Sequence, residues 1–137
     1  MLKKQLADVL HEIMKVNQRI VDTGEYQNLI SLCEQDIGIL HLVSEHEGIS
    51  AKEISSLRGV PKTTIVSAVD RLVKRGYLQK EVDRKDKRRH CLTLTKLGER
   101  ANYEHEDYEE KILNYLIDQW SEEDRKILAD LLARRRR

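Results

Sequence analysis

The chain has 137 residues, which is the length of one domain with a modest hydrophobic core. Charged residues make up 36% of it and aromatic residues only 4%, so the core is expected to be small and aliphatic. Nothing approaches the run of about 18 apolar residues that a membrane span needs, and the amphipathic N-terminus is unlike a signal peptide. Composition therefore excludes a membrane-spanning protein and predicts a cytoplasmic one. Its two cysteines, Cys33 and Cys91, are too few for a disulfide scaffold.

Positive charge is concentrated in the middle of the chain. The net charge is only +1, which by itself argues against a nucleic-acid-binding protein. Residues 50–100, however, carry 14 Lys and Arg against 6 Asp and Glu, whereas residues 1–49 and 101–137 are both net acidic. A basic centre between acidic ends indicates one surface directed at a polyanion.

Two helices are predicted before the basic centre. The first covers Leu2 to Thr23 and ends at Gly24. Its apolar residues are spaced alternately four and three apart, which is typical of a seam packed against another long helix. These residues are Leu2, Leu6, Val9, Ile13, Val16 and Ile20. The second predicted helix runs from Gln35 to Glu47, with Ile37, Leu40 and Val43 directed inward.

A short capped helix opens the basic centre. Ser50 and Glu53 have the spacing of a capping box, in which hydroxyl and carboxylate satisfy the free N–H groups of the first turn. Ile54 and Leu57 are predicted to point inward. Gly59 follows at the position where a left-handed residue ends a helix. The sequence therefore predicts a helix of about two turns followed by a tight turn.

The next predicted helix has the features of a DNA recognition helix. Pro61 is expected at its first position and Gly76 at its end. One face is apolar at helical spacing and comprises Ile65, Val66, Val69, Leu72 and Val73. The opposite face is cationic and hydroxyl-rich, and its candidate DNA-contacting residues are Lys62, Thr63, Thr64, Ser67 and Arg71. Two short helices across a tight turn, the second basic outside, predict a helix-turn-helix that enters the major groove.

A β-hairpin with a charged tip is predicted next. Residues 77–82 and 90–94 both alternate polar with apolar, as half-buried strands do. The seven-residue tip between them, residues 83–89, holds five cations and two carboxylates. A tip with that charge projects into water or onto a polyanion, and its candidate DNA-contacting residues are Arg84, Lys87, Arg88 and Arg89. The carboxylates of Asp83 and Asp86 are expected to pair with an arginine and hold its guanidinium outward.

Two further helices are predicted after the hairpin. Thr95 is expected to cap a long helix that runs to about Gln119, and Ser121 a short final one. Apolar residues of the final helix are Ile127, Leu128, Leu131 and Leu132. Apolar stripes at both ends of the chain predict an intersubunit bundle, so we expect a homodimer. The basic tail, Arg134 to Arg137, is expected to be disordered and is a weak candidate for a second DNA contact.

Several motifs resemble the MarR family of winged-helix transcription regulators. They are Leu32–Leu40, Val69–Tyr77, the Asp83–Arg88 wing and the Leu92-Thr93-Leu94-Thr95-Lys96-Leu97-Gly98 segment. The resemblance implies a mainly α fold with a small β-hairpin wing (α+β), in which Arg88 enters the minor groove and Asp86 orients it. Lys62 to Arg71 would face the major groove. One departure is Pro61, where the family usually has a serine or a similar cap.

The resemblance also implies a layout and a function. Residues 1–137 would form one domain, with a winged helix-turn-helix at 34–98 and a dimerisation part made of 1–23 and 99–133. The chain would be a sequence-specific regulator that binds an inverted-repeat operator in double-stranded DNA. Repression would be relieved by a small ligand whose identity the sequence leaves open. Neither an enzymatic activity nor a cofactor is expected.

Two other functions remain as alternatives. A metal- or redox-responsive sensor is one, because Cys33, Glu34, His41, His46 and His105 could converge in the fold. We favour exposed or capping histidines, a buried Cys33 and a packing role for Cys91, since the residues match the metal- and oxidation-sensing patterns poorly. A winged-helix protein-interaction module is the other. A docking surface for protein would be more apolar than this basic face, which favours DNA.

Overall fold

The computed structural model describes residues 1–136, which are mainly helical with one two-stranded antiparallel sheet. The elements in chain order are α1 (Leu2–Asp22), α2 (Gln27–Ile30), α3 (Glu34–Glu45), α4 (Ala51–Arg58), α5 (Lys62–Lys74), β1 (Leu78–Val82), β2 (His90–Leu94), α6 (Lys96–Ile117) and α7 (Glu122–Arg134). The expected fold class, mainly α with a β-hairpin wing, is confirmed. The sequence interpretation had missed the single turn α2 and had placed α3 one residue late at its start and two at its end.

The chain folds into two compact units. The winged-helix unit is Gly24–Glu106 and contains α2 to β2 with the start of α6. The end-helix unit is Met1–Thr23 together with the chain from Asp107 onward, and contains α1, the end of α6 and α7.

The winged-helix unit has an aliphatic core built around α5. Ile65, Val69 and Leu72 are fully buried, as the helical spacing predicted, and Ala68 joins them. They pack in one cluster with residues from α3, α4 and the hairpin, among them Ile39, Leu40, Ile54, Leu78 and Leu92. The prediction for Leu57 was wrong, because its side chain is 59% exposed although it lies one turn after the buried Ile54. A helix of two turns buries only a narrow stripe, and Leu57 falls outside it.

Local caps set the start of α4 and the turn between α4 and α5. The hydroxyl oxygen of Ser50 accepts a hydrogen bond from the backbone N–H of Glu53 (3.2 Å), and Glu53 accepts in return from the Ser50 N–H (3.3 Å). Gly59 ends α4 with φ +64°, a left-handed conformation that glycine adopts without a Cβ penalty. Pro61 had been predicted inside α5 but is its N-cap, since its ψ of 141° is extended. Its carbonyl accepts from Ile65 N–H (3.2 Å).

The hairpin is attached to the core at the end away from its tip. β1 and β2 pair in the register Leu78↔Leu94 to Val82↔His90. Leu78 and Leu92 are buried, and the backbone N–H of Leu92 donates to the carbonyl of Ile49 (2.9 Å). The tip therefore extends from a base that the core holds in place.

The start of α6 is packed directly against the end of the recognition helix. Thr95 caps α6 by accepting a hydrogen bond from the Gly98 N–H (3.1 Å), and its hydroxyl donates to the carbonyl of Gly76. A Cβ at Gly98 would overlap the carbonyl oxygen of Tyr77. The Thr-x-x-Gly spacing is therefore explained by a cap and a close backbone approach.

The helices of the end-helix unit differ from those of the winged-helix unit in how far their residues are buried. Neither α1 nor α7 has a buried residue among those described, and Ser121 caps α7 as predicted, accepting from the Asp124 N–H (3.2 Å). Over the described chain, no helix combines the length and apolar character that crossing a bilayer requires. Arg134 of the basic tail ends α7, whereas Arg137, the end of that predicted tail, lies outside the described residues.

Candidate nucleic-acid interface

The outer face of α5 presents the side chains that the sequence singled out. All five candidate residues of this helix are exposed, namely Lys62, Thr63, Thr64, Ser67 and Arg71. Lys62, Thr63, Ser67, Arg71 and Lys74 border a shallow cavity of about 550 Å³ on that face. The helix thus offers cations and hydroxyl groups together, which are the groups that hydrogen-bond to phosphates and base edges.

Arg71 is held at one side by a buried carboxylate. Its Nη2 lies 3.5 Å from Oδ1 of Asp36, whose side chain is almost fully buried at the start of α3. The other oxygen, Oδ2, accepts from the backbone N–H of Cys33 (3.4 Å). Cys33 had been expected to be buried and is instead exposed, because it is the N-cap of α3. Arg71 therefore lies within ion-pair distance of the start of α3.

The wing tip is ordered by its own backbone and by its two aspartates. The Asp83 N–H donates to the carbonyl of Arg89 (2.8 Å), and the Arg89 N–H to the carbonyl of Asp86 (3.0 Å). Asp83 Oδ1 accepts from the Lys85 N–H (2.8 Å) and Asp86 Oδ1 from the Arg88 N–H (3.0 Å). Asp86 therefore contacts Arg88 through the backbone amide, where a bond to the guanidinium had been predicted.

The cations of the tip divide into two kinds. Arg84, Lys87 and Arg88 have exposed side chains. Arg89 is instead turned inward: its guanidinium donates to Oδ2 of Asp83 (2.9 Å), to the Gly48 carbonyl (2.8 Å) and to the carboxylate of Glu53. An aspartate does pair with an arginine as predicted, but the guanidinium points toward α4 and away from the tip.

These contacts shift the ionisation of the groups involved. The hydrogen bond from Arg89 lowers the pKa of the Glu53 carboxyl. The pKa of Asp83 is lowered by the Lys85 N–H and then by Arg89, and the two carboxylates together raise the pKa of Arg89. All three groups are charged at neutral pH.

A concave surface of about 970 Å³ lies between α4, the start of α5 and the wing. Its lining includes the cations Lys52, Lys62, Lys80 and Arg88, with His46 and His90. Lys80 on β1 also pairs with Asp70 on α5 (2.6 Å), which lowers the pKa of that aspartate. The recognition helix and the wing therefore border one cationic hollow.

The family model described as MarR family matches residues 34–89, which run from the start of α3 to the end of the wing tip. A crystal structure of MarR is 25% identical and superposes with a TM-score of 0.65, covering 98% of this chain and 87% of that one. Residues 34–89 of the chain thus resemble the MarR family. No curated protein sequence matches this chain.

Two MepR structures from S. aureus show how far the shared fold extends. MepR bound to ethidium bromide is 16% identical, with a TM-score of 0.77 over 97% of this chain and 92% of that one. A MepR mutant bound to an oligodeoxyribonucleotide is 18% identical, with a TM-score of 0.68 over 97% and 94%. At these identities the likeness establishes the fold of nearly the whole chain.

The candidate sensor residues form no metal-binding group in the described part of the chain. Among the described residues, no three His, Cys, Asp or Glu side chains are grouped so that they could hold a metal ion. His41 pairs with Glu45 one turn further along α3 (2.9 Å). Cys91 is partly buried in β2, and its sulfur accepts from Nη1 of Arg89 (3.1 Å).

Sequence reasoning missed three residues at this candidate nucleic-acid interface. Lys52 and Lys80 face the hollow but were not among the candidate DNA contacts of the recognition helix or the wing tip, and only the packing of α4 and β1 beside α5 brings them there. Glu53 was recognised as a helix cap, and its second role as the partner of Arg89 had no signal because 36 residues separate them.

Proposed function

We propose that this protein is a sequence-specific, DNA-binding transcription regulator that acts as a homodimer, and that it is a repressor relieved by a small ligand. The observation that carries the proposal is the concave cationic surface between α4, the start of α5 and the wing, which lies next to the polar face of α5. Hydroxyl groups and cations on a helix read base edges and phosphates in the major groove, while arginines on a projecting wing suit the negative potential of a narrow minor groove. We expect no catalytic activity and a cytoplasmic location.

Homodimerisation is supported by the apolar surface of the helices at the two chain ends. Leu2, Leu6, Leu10 and Met14 of α1 and Ile127, Leu131 and Leu132 of α7 are each more than half exposed. Contiguous exposed apolar side chains of this kind mark interaction sites in soluble proteins. A symmetric dimer places two recognition helices about 34–36 Å apart on one face of DNA, so the operator should be an inverted repeat with that period.

Relief by a ligand is supported by the related structures and by the available space. MepR has been crystallised with ethidium bromide, so a chain with this fold accepts a small molecule. This chain has cavities of about 540 to 970 Å³ in its winged-helix unit, which is the size range of small-molecule sites.

The first experiment tests base reading by α5. Fluorescence anisotropy would compare the DNA upstream of the protein's own gene with a shuffled fragment of equal length. Thr64→Ala, Ser67→Ala and Arg71→Ala should each cost about 1–3 kcal/mol on the true site and change which bases are tolerated. Equal weakening on both fragments would mean that α5 touches only phosphate.

The second experiment tests the wing. Arg88→Ala should weaken binding to both fragments and reduce the salt slope by up to about 0.9 for each phosphate that a subunit no longer neutralises. Lys15→Ala, which removes the same charge from α1, is the matched control and should leave the slope unchanged. Wild-type protein that fails to bind either fragment would refute the proposed function.

A further inference from the structure

Arg89 joins three parts of the winged-helix unit that are far apart in sequence. Its guanidinium reaches the carbonyl of Gly48 in the turn before α4, the carboxylate of Glu53 in the first turn of α4, and Asp83 at the base of the wing tip. Its backbone carbonyl also closes the tip by accepting from the Asp83 N–H (2.8 Å). One residue therefore ends the tip and bridges it to the helix-turn-helix.

The surroundings of Arg89 are unfavourable for a phosphate. Two carboxylates and one carbonyl already occupy its guanidinium, so its charge is more than balanced locally. Its side chain is 31% exposed and that of Asp83 only 20%. A phosphate that approached Arg89 would meet Glu53 and Asp83 as well, and charge-assisted hydrogen bonds to these carboxylates are strong enough to compete.

The outer half of the wing has no buried apolar side chain that could hold it in place instead of Arg89. Val82, at the tip end of β1, is 54% exposed, and its partner His90 is exposed as well. The buried side chains of the hairpin, Leu78 and Leu92, lie nearer its base. Since a two-stranded hairpin is only marginally stable by itself, the direction of its outer half depends on polar contacts.

We propose that Arg89 and Glu53 are a positioning pair that fixes the wing against the start of α4. Arg89, which the sequence had grouped with the DNA-contacting residues, braces the tip so that Arg84, Lys87 and Arg88 face the nucleic acid. The positioning role rests on the proposed function, whereas the existence of the brace can be measured without DNA. Glu53 thus serves both the helix cap and the wing.

Hydrogen exchange on the full-length, DNA-free protein measures the brace directly. The backbone amides of Asp83 and Arg89 report on it, because both are hydrogen-bonded within the tip. Glu53→Gln retains a capping-box side chain at that position but removes the charge that Arg89 faces. Exchange of these two amides should accelerate roughly threefold or more, the upper part of the range for a partly exposed ion pair. The α5 amides should keep their protection, which shows that the variant is folded.

Two further variants complete the design. Glu81→Gln removes an equal charge from the exposed face of β1 and is the matched control, with no expected change in exchange at the tip. Arg89→Lys keeps the positive charge but lacks the planar fork that reaches three acceptors at once. It should therefore behave like Glu53→Gln.

Binding to the upstream DNA fragment tests the positioning role. Glu53→Gln should bind roughly threefold or more weakly although it removes a negative charge beside DNA, whereas Glu81→Gln should bind equally or more tightly. Unchanged tip exchange in both Glu53→Gln and Arg89→Lys would overturn the pair. Faster exchange with unchanged or tighter DNA binding would overturn the positioning role. Wild-type protein that binds no DNA would refute the proposed function, while the exchange result would still decide whether the pair holds the wing.

Discussion

The two units of this chain differ in how they use their apolar residues. In the winged-helix unit, Ile39, Ile54, Ile65 and Leu72 have no exposed surface at all. In the end-helix unit, α1 and α7 contain no buried residue in the described chain, and Leu6 and Leu131 are more than half exposed. The first unit has a core of its own. The second carries apolar surface whose burial needs a partner, which under the proposed function is a second copy of the chain.

The largest effect is expected from the core of the winged-helix unit. Leu72→Ala removes a fully buried side chain from α5 and should reduce the free energy of unfolding by about 2–5 kcal/mol. Urea denaturation followed by circular dichroism measures the reduction. If this reduction disappeared at high protein concentration, the core would depend on association, and the winged-helix unit would not be stable by itself.

The next effect should appear in assembly. Under the proposed function, Leu6→Ala and Leu131→Ala should each weaken the dimer by about 1.5–3 kcal/mol, because the side chain would be buried only when two copies associate. Sedimentation velocity over a range of concentrations measures the dissociation constant. Asp130→Ala, which alters an exposed polar residue beside Leu131, is the control and should leave the dissociation constant unchanged. A monomeric wild-type protein would show that another partner covers these helices.

Two glycines of the winged-helix unit should respond differently to the same change. Gly98→Ala should cost about 1–3 kcal/mol of unfolding free energy, because the added Cβ meets a backbone carbonyl that cannot move alone. At Gly38 the added Cβ meets the guanidinium of Arg58, a flexible end that pairs with Glu34 (3.2 Å). The free-energy cost of displacing this guanidinium is partly offset by the roughly 1 kcal/mol that alanine gains over glycine within a helix.

Thermal unfolding of the Gly98→Ala and Gly38→Ala variants compares the two directly. Equal destabilisation would mean that the region around Tyr77 adapts more easily than its backbone contact suggests.

The smallest effect is expected when the pH is lowered into the acid range. The pKa values of the Glu53 and Asp83 carboxyls are lowered in the folded protein. These carboxylates therefore contribute to stability above the ordinary carboxyl pKa of about 4, and the contribution is lost as pH falls through the lowered values. The NMR signal of the Arg89 Nε–H should therefore stay constant from about pH 7 to about pH 5 and move only below about pH 4. A shift centred near neutral pH would point to a different partner for Arg89. Core amides should keep their signals while the tip changes.

The sequence by itself determined the local elements of this protein. Ser50, Gly59 and Ser121 mark helix ends through caps that involve residues at most three positions away or a single backbone conformation. The 3.6-residue spacing placed Ile65, Val69 and Leu72 in the core, and the alternation in residues 77–82 and 90–94 predicted the strands to within one residue. Such signals are readable because they act over one or two turns of chain.

Only the tertiary structure decided where the charged side chains point. The sequence predicted both Arg88 and Arg89 as candidate DNA contacts, yet one is exposed and the other is bonded to Glu53, 36 positions earlier. Cys33 and Leu57 were misjudged for a related reason, since the burial of a residue near the end of a short helix depends on what packs against it. Long-range contacts are set by the packing of α4, α5 and the hairpin around a common core, and that packing leaves no local pattern in the sequence.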